Sequence, residues 1–322
     1  MQFFAVSYLI LAEAASAAYL SQAIWQAPNG TWLENLAVRA DGSILATVLT
    51  KPELWLVQPD PSNPNAQLIH SFDAHTGLTG ITETFPNTFE VVASNFTMVP
   101  PACIAGSSRI YRVSFPRNNN DTKPKVSLTS HSPHDIGLPN GLLRLNKHTL
   151  LLADSIKGVI WAIDTITRTS RIVIQDPLLR PMNGSLGVNG LKLHGCNLFF
   201  TNEAQSLFGQ FEIDTRSGIP KSAARMIAHN KSIAAADFDD FALSPEGCFA
   251  YVTAYGGNNV VKIDVATGVG EIIAGGNNSS QVLQPTAAAF GRNGGEGTLF
   301  VTTAGGVGGG GRLLAIHVGG VN

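Results

Sequence analysis

The chain has 322 residues, of which only 14% are charged, and its 21 basic and 23 acidic residues leave a formal net charge of −2. This balance excludes the basic surface of a nucleic-acid-binding protein, and a hydrophobic content of 44% excludes a disordered chain. The 33 glycines predict many tight turns and so favour β structure over helix bundles.

The first residues have the pattern of a secretory signal peptide. Residues 3–11 are apolar, and small residues at 15–18 offer a cleavage site. No Lys or Arg precedes the apolar run and Glu13 follows it, so a buried first strand is the alternative. We predict a leader over 1–18 and a single domain over 19–322 that enters the secretory pathway. No later stretch has the length and apolarity of a membrane span.

Asn-x-Ser/Thr acceptors support the same route and predict a secreted, N-glycosylated protein. These acceptors lie at Asn29, Asn95, Asn120, Asn183, Asn230, Asn277 and Asn278. The three cysteines, Cys103, Cys196 and Cys248, lack the CxxC spacing of a zinc cage. In a secreted chain they predict one disulfide and one free thiol.

A degenerate repeat of 45 to 60 residues runs along the chain. Each unit has an apolar strand that opens with a small or polar residue, then a second apolar strand that ends in Thr or Ala. The openings lie at Asn35, Gly80, Asn140, Asn189, Asp240 and Thr286. Third strands such as 161–164 and 261–264 end in Asp and lead through a turn into a fourth. This pattern predicts an all-β, six-bladed β-propeller with four antiparallel strands per blade, closed by residues 23–28.

Propeller geometry brings the openings of the innermost strands to one mouth of the central channel. The connections between second and third strands return to the same face; they are 47–52, 94–99, 154–157, 202–206, 254–257 and 303–307. We therefore expect a functional site at this mouth. Cys196 and Cys248 occupy matching hairpins of the fourth and fifth blades on the opposite face, which favours a disulfide between them and leaves Cys103 free.

Segments 139–142, 188–191, 284–291 and 298–303 resemble the SMP-30/gluconolactonase superfamily of six-bladed propellers. The resemblance implies a divalent cation (Ca²⁺, Mg²⁺ or Zn²⁺) held by Glu34, Asn140, Asn189 and Asp240, and oxygen ligands of this kind suit hard cations. The chain departs from the family pattern at two places. Asn-Leu follows Glu34 where the family has Gly-Pro, and Phe follows Asp240 where the family has Gly. The alternative is that these side chains only hydrogen-bond neighbouring inner strands.

Residues 28–39 and 78–83, with the leader, resemble a fungal natural-product subgroup of the superfamily. That resemblance implies an intermolecular hetero-Diels–Alderase, which joins a tropolone-derived o-quinone methide to a humulene-type sesquiterpene and requires no cofactor for the cycloaddition. Such a reaction needs an apolar pocket that holds both partners and excludes water. A hydrogen-bond donor to the heterodiene oxygen would activate it further.

On this hypothesis, small hydrophobic metabolites are the partners, and the site residues fall into two groups. The candidate catalytic residues are His134, Asp154, Asp240 and Tyr255, with His134 and Asp135 placed to assist the dehydration that makes the quinone methide. The candidate substrate-binding residues are Asn35, Asn95, Phe96, Met98, Asn140, Asn189, Asn202 and Thr303. For each residue taken alone, inter-blade packing or loop surface is the alternative.

Two other functions remain open from the sequence. One is a metal-dependent lactone or ester hydrolase on the implied cation site, and the other is a non-catalytic propeller that carries a hydrophobic metabolite. The sequence contains no GxSxG or HExxH motif. Residues 306–311 match GxGxxG but lead into a predicted strand, so they do not form a dinucleotide-binding turn.

Overall fold

The structure is a computed structural model that describes residues 19, 21–60, 65–116, 123–229, 236–276 and 279–319. Six four-stranded antiparallel sheets and one two-stranded hairpin make up this part of the chain, with a single turn of 3₁₀ helix at Pro177–Leu179. The predicted leader and the acceptors at Asn120, Asn230, Asn277 and Asn278 lie outside the described residues. Within the described ranges, no helix has the length and apolarity needed to cross a membrane.

The six sheets are the six predicted blades. Strand β1 (Ser21–Gln26) comes first and belongs to the last blade. Blade 1 contains β2 (Leu33–Val38), β3 (Ile44–Val48), β4 (Glu53–Gln58) and β5 (Asn65–Ser71). Blade 2 contains β6 (Gly77–Phe85), β7 (Thr88–Ser94), β10 (Arg109–Ser114) and β11 (Lys125–His131), with the hairpin β8 (Phe96–Met98) and β9 (Pro101–Cys103) inserted between β7 and β10.

The remaining blades follow in chain order. Blade 3 contains β12 (Pro139–Arg144), β13 (Thr149–Asp154), β14 (Val159–Asp164) and β15 (Ser170–Gln175). Blade 4 contains β16 (Val188–His194), β17 (Asn197–Asn202), β18 (Leu207–Glu212) and β19 (Arg225–His229). Blade 5 contains β20 (Phe238–Leu243), β21 (Phe249–Ala254), β22 (Asn259–Asp264) and β23 (Gly270–Gly275). Blade 6 contains β24 (Pro285–Phe290), β25 (Thr298–Thr303), β26 (Arg312–His317) and β1.

Apolar side chains form the core between the blades, not inside a single layer. Strand β3 is buried at all five positions, as expected for a strand that is covered on both faces. The outer strand β15 is mostly exposed. Each of the six hydrophobic clusters joins two neighbouring blades, including blades 6 and 1.

Hydroxyl groups link each blade to the next one. Thr47 Oγ1 donates to the carbonyl of Thr79 at 2.8 Å, and Thr286 Oγ1 donates to the carbonyl of Leu33 at 2.7 Å, which ties blade 6 to blade 1. Thr79, Ser155, Thr201 and Thr253 make the corresponding bonds at the other four interfaces. These bonds explain why Thr recurs in the repeat: a buried hydroxyl needs a hydrogen-bond partner, and here the partner is a carbonyl of the next blade.

The ring closes as predicted. Strand β1 pairs antiparallel with β26, with Ser21 opposite Ile316. The first strand of the described chain thus completes the last blade, which removes the sheet edge that an open ring would leave.

Every innermost strand carries a register irregularity at the mouth of the channel. In β16 the break lies between Val188 and Leu191, so Asn189 and Gly190 form the irregular step. A Cβ added to Gly190 would lie 2.2 Å from Oδ1 of Asp240, so only glycine fits there. In β2, β6, β12, β16 and β20 the first residue of the step lines the mouth of the channel.

All three cysteines are free thiols in the structure, in place of the predicted Cys196–Cys248 disulfide. Both residues are exposed in their hairpins. The ring of His194 occupies the space against Gly247, where an added Cβ would lie 2.5 Å from Nδ1. A histidine side chain therefore fills the contact between these hairpins.

Candidate active site

A cavity of about 410 Å³ opens at the mouth of the channel, a volume within the range of roughly 300–1,000 Å³ that is usual for small-molecule sites. Its walls come from the loops that the sequence predicted to converge. The lining residues include Trp32, Glu34, Leu49, Thr79, Phe96, Met98, Leu138, Asn140, Leu186, Asn189, Glu203, Asp239 and Tyr255. Phe96, Met98, Asn140, Asn189, Glu34 and Tyr255 were all predicted for this mouth.

One wall of the cavity is apolar. The β8–β9 hairpin contributes Phe96 and Met98, and Leu49, Leu138 and Leu186 continue the surface. Met98 is 44% exposed, so the hairpin also forms the outer lip of the opening. This wall offers hydrophobic contact to a ligand and keeps water away from its apolar side.

The floor of the cavity is polar and comes from equivalent positions of five blades. The first residues of the irregular steps in β2, β6, β12, β16 and β20 are Glu34, Thr79, Asn140, Asn189 and Asp239, and all of them line the cavity. Glu203, from the connection between β17 and β18, adds a third carboxyl group. The floor therefore presents three acids and two amides to a ligand.

Burial makes these acids unusually weak. Desolvation raises the pKa of Glu34 to about 7, although a hydrogen bond from the Trp32 indole opposes the change. Desolvation also raises the pKa of Glu203 to about 7. The pKa of Asp239 lies well above its ordinary value, first because it is buried and then because Glu34 and Glu203 are close. At neutral pH the site thus holds protonated carboxyl groups that can donate hydrogen bonds.

Two aromatic residues complete the site. Trp32 and Tyr255 stack with their ring centroids 5.4 Å apart and their planes 15° apart. Desolvation, followed by the nearby carboxyl groups, raises the pKa of Tyr255 to about 12, so the phenol keeps its proton. Tyr255, a predicted catalytic residue, is therefore a further hydrogen-bond donor beside the cavity.

Asp240 does not face the cavity, and its neighbour Asp239 takes the place predicted for it. Asp240 Oδ1 accepts from Lys192 Nζ at 2.6 Å, and its Oδ2 accepts from Asn35 Nδ2 at 3.0 Å. The irregular step between Phe238 and Phe241 turns the two consecutive aspartates to different sides. Asn35 and Asp240 thus bond to each other across the channel, outside the lining of the cavity.

Asp154 and His134, two predicted catalytic residues, also lie outside the lining. The carboxylate of Asp154 accepts from the backbone N–H groups of Gly137, Leu138 and Lys157, so it organises the loop around it. His134 is exposed, with its ring against Gly106. Asp135 forms an ion pair with Lys157.

Two predicted binding residues have structural partners instead, and a third lies outside the lining. Asn202 Nδ2 donates to the carbonyls of Leu178 and Arg180, both at 2.9 Å. Thr303 Oγ1 accepts from the backbone of Arg312 at 2.9 Å. Asn95 lies beside the lining at the start of the β8–β9 hairpin, and its backbone N–H donates to Ser107 Oγ at 3.1 Å.

Sequence reasoning missed Trp32, Glu203 and Asp239. Asp239 had a signal, because aligning 238–241 with 188–191 places it opposite Asn189. Glu203 lies within the connection 202–206 that was predicted to reach the mouth, but it was not singled out as a site residue. Trp32 precedes the first irregular step and carries no repeat signal.

The donors on the floor suit a divalent cation. The amide of Asn189 hydrogen-bonds with both Glu203 and Asp239, and its buried Oδ1 has no partner among the described residues. Carboxyl and amide oxygens are the ligands of hard cations. No group of three or more His, Cys, Asp or Glu in the described ranges has metal-binding geometry, so a cation would depend on Glu34 and Asp239 together with Asn140 and Asn189.

Comparisons with known proteins identify relatives. No family model matches the sequence. The chain is 27% identical over 312 residues to a protein of Phoma sp. named "Putative hetero-Diels-Alderase", and the match covers 86% of this chain and 84% of the relative. The predicted resemblance is confirmed. A protein of Sarocladium schorii with the same designation is 29% identical over 209 residues, which cover 56% of this chain and 51% of that protein.

The fold also has a solved counterpart. The calcium-binding protein regucalcin from Agrobacterium tumefaciens superposes with a TM-score of 0.62 at 14% identity, covering 94% of this chain and 96% of the other. At this identity the likeness shows the fold alone. The chain therefore shares the fold of a solved six-bladed propeller, and its sequence relatives bear the name of a cycloaddition enzyme.

Proposed function

We propose that the protein is a hetero-Diels–Alderase that joins a tropolone-type o-quinone methide to a sesquiterpene alkene in the mouth cavity. The observation that carries this proposal is one cavity in which an apolar wall faces buried acids, two of which have a pKa raised to about 7. The names of the two sequence relatives support the same class of reaction.

The apolar wall serves the alkene and the approach of the two partners. The cycloaddition forms one C–C bond and one C–O bond and releases no atom, so no covalent catalyst is needed. Holding both partners in one cavity replaces a bimolecular encounter with an oriented one. Phe96 and Leu138 shield the quinone methide from water, which would otherwise add to its exocyclic carbon.

The acid floor serves the heterodiene oxygen. This oxygen gains negative charge as the alkene attacks the exocyclic carbon, and a carboxyl O–H aimed at it stabilises that charge. Glu34 and Glu203 can donate in this way below about pH 7. The rate should therefore fall as the pH rises through about 7, because the donor form is lost.

The same acids can make the quinone methide from a hydroxymethyl precursor. One carboxyl group protonates the leaving hydroxyl, which departs as water, while a carboxylate accepts the proton of the ring hydroxyl. Two groups that both titrate near pH 7 can share these roles at neutral pH, as Glu34 and Glu203 would. They replace His134 and Asp135, which lie outside the cavity lining.

The test is turnover of a hydroxymethyl tropolone precursor and humulene by the full chain, with the adduct and its enantiomer ratio followed by chiral chromatography. We expect one enantiomer in excess, and Glu34→Gln should lower the rate at least roughly tenfold. Glu53→Gln is the control, since Glu53 bonds Trp55 outside the cavity. A racemic adduct at the uncatalysed rate would refute the proposal, and ligand binding without product would identify a carrier.

A metal-dependent lactone hydrolase is the second candidate. It is favoured by Oδ1 of Asn189, which has no partner among the described residues and lies beside two acids. With a divalent cation, Glu34, Asn140, Asn189 and Asp239 would be the ligands, and the ion would polarise a lactone carbonyl. Mass spectrometry of the metal content before and after chelation, with lactone hydrolysis in parallel, tests this function. A stoichiometric ion whose removal stops hydrolysis would establish the hydrolase.

A further inference from the structure

The cavity has an aromatic side, formed by the stacked rings of Trp32 and Tyr255. Trp32 directly precedes β2 of blade 1, and Tyr255 lies in the connection between β21 and β22 of blade 5. Blades 1 and 5 are the two neighbours of blade 6 in the ring. Among the described residues, blade 6 contributes none to the lining, so the stack forms the wall of the cavity on the side of blade 6.

Most of the apolar wall comes from the opposite half of the ring. Phe96 and Met98 belong to the β8–β9 hairpin of blade 2. Leu138 directly precedes blade 3, and Leu186 lies in the connection that leads into blade 4. Because blade 3 is opposite blade 6 in a ring of six blades, the stack and the hairpin face each other across one cavity of about 410 Å³.

The aromatic side is flat and already oriented. The Trp32 indole packs against Tyr255, and its Nε1–H donates to Glu34 Oε2 at 2.7 Å. The backbone N–H of Trp32 donates to Thr50 Oγ1 at 3.1 Å. Both rings of the stack are only partly buried, so they keep surface for a ligand. A ring that is held in this way loses little freedom when another planar ring stacks on it.

The hairpin side has a different character. Met98 has a flexible thioether side chain that adapts to irregular shapes, and it is 44% exposed at the lip. Together with Leu138 and Leu186 it presents branched and flexible apolar groups instead of a flat pair of rings. Such a surface suits a puckered aliphatic ring, which has no extended planar face to stack.

We propose that these two sides are separate subsites of the cavity. The planar conjugated ring of the heterodiene stacks against the Trp32–Tyr255 pair, and the aliphatic alkene packs against the β8–β9 hairpin. This inference rests on the proposed function and assigns each of its substrates to one side of the same cavity. Stacking fixes the plane of the heterodiene, so the alkene on the other side meets one of its two faces, as an enantiomeric excess requires.

Fluorine NMR of protein labelled with 5-fluorotryptophan tests the first subsite without turnover. The chain contains four tryptophans, of which Trp32 alone lines the cavity, and Trp→Phe variants assign their signals. A hydroxymethyl tropolone, added with a chelator present, should shift the Trp32 signal. The signals of Trp25 and Trp55, which pack on each other outside the cavity, should not move. Humulene should shift the Trp32 signal less than the tropolone does.

Dissociation constants of the two probes, each measured alone by equilibrium dialysis, separate the subsites. Trp32→Leu should raise the Kd of the tropolone roughly tenfold and change that of humulene less than about threefold. Phe96→Ala should have the reverse effect. Trp32→Phe keeps a ring but loses the N–H group, so it should retain most of the tropolone affinity. Trp55→Leu removes a ring from the other stack, outside the cavity, and is the control that should change neither Kd.

Tyr255→Leu removes the second ring of the stack and takes the place of Trp32→Leu if that variant does not fold. If the variants weakened both probes equally, or if the tropolone left the Trp32 signal unmoved, the two-subsite inference would be overturned even in an active enzyme. The expected pattern of Kd values in a protein that forms no adduct would support the subsites and refute only the proposed function. A parent protein that binds neither probe would overturn both.

Discussion

The most direct physical test of the acid floor is Glu34→Gln, read as a stability change with pH. The pKa of Glu34 rises from 4.5 to about 7 in the folded protein. Each pH unit between the folded and unfolded pKa corresponds to about 1.4 kcal/mol, so ionising this group within the fold costs roughly 3 kcal/mol. Glutamine keeps the shape and the acceptor for Trp32 but cannot ionise.

The number of protons bound by the folded and unfolded states determines how stability changes with pH. Below pH 4.5 the carboxyl is protonated in both states, and its contribution to stability is fully present. Between pH 4.5 and about 7 the folded state binds more protons than the unfolded state, so stability is lost as the pH rises. Glu34→Gln should therefore gain roughly 3 kcal/mol relative to the parent between pH 4.5 and pH 8.

Urea unfolding at pH 4.5 and pH 8, with a chelator present throughout, measures this gain from the midpoints and slopes. Glu53→Gln serves again as the control, because its carboxyl bonds Trp55 outside the cavity, and it should not reproduce this gain. If the difference in unfolding free energy between Glu34→Gln and the parent were the same at both pH values, Glu34 would titrate normally in the folded state. The description of the floor as a set of protonated acids would then be wrong.

Three further predictions use other parts of the molecule. Asp239→Asn should lower cycloaddition at least roughly tenfold by removing an acid from the cavity, whereas Asp240→Asn should mainly lower the melting temperature, because its partners lie in the channel. Phe96→Ala should raise KM roughly tenfold through lost apolar contact, which steady-state kinetics would detect. Thr253→Val removes an inter-blade hydrogen bond of 2.9 Å and should cost about 1 kcal/mol in urea unfolding; an unchanged midpoint would contradict the structural role of these hydroxyls.

The blades were predictable because the same sequence pattern recurs in each blade and its residues make the same contacts. Thr47 and Thr253 close corresponding strands, and each donates to a carbonyl of the next blade. Closure by the first strand also followed, since a propeller needs a partner for the exposed edge of β26. The cysteine pairing could not be read in the same way. Matching hairpin positions carry no information on the side chain, here His194, that fills the space between them.

At the inner strands the sequence indicated the residues of the candidate site to within one position. It did not indicate every loop side chain that enters the cavity. Glu34, Asn140 and Asn189 line the mouth cavity, and so does Asp239, which is the neighbour of the predicted Asp240. Because the side-chain period of a strand is two, one step of register exchanges the two faces, and an irregular step is set by the packing of neighbouring blades. The connection 202–206 was predicted to reach the mouth, but which of its side chains enters the cavity depends on the course of its backbone, which a strand repeat does not describe.

The two candidate functions require opposite charge states of the same floor. As a cycloaddition catalyst, the site needs Glu34 protonated, and protonation is favoured by its burial. As a cation site, it needs Glu34 and Asp239 ionised, and protons compete with the metal for them. Cycloaddition should therefore fall as the pH rises through about 7, whereas Ca²⁺ affinity should rise over the same interval. One pH series on the parent protein, with adduct formation and calorimetric Ca²⁺ binding measured side by side, separates the two: a rate that rises with pH together with Ca²⁺ affinity would assign the floor to a metal.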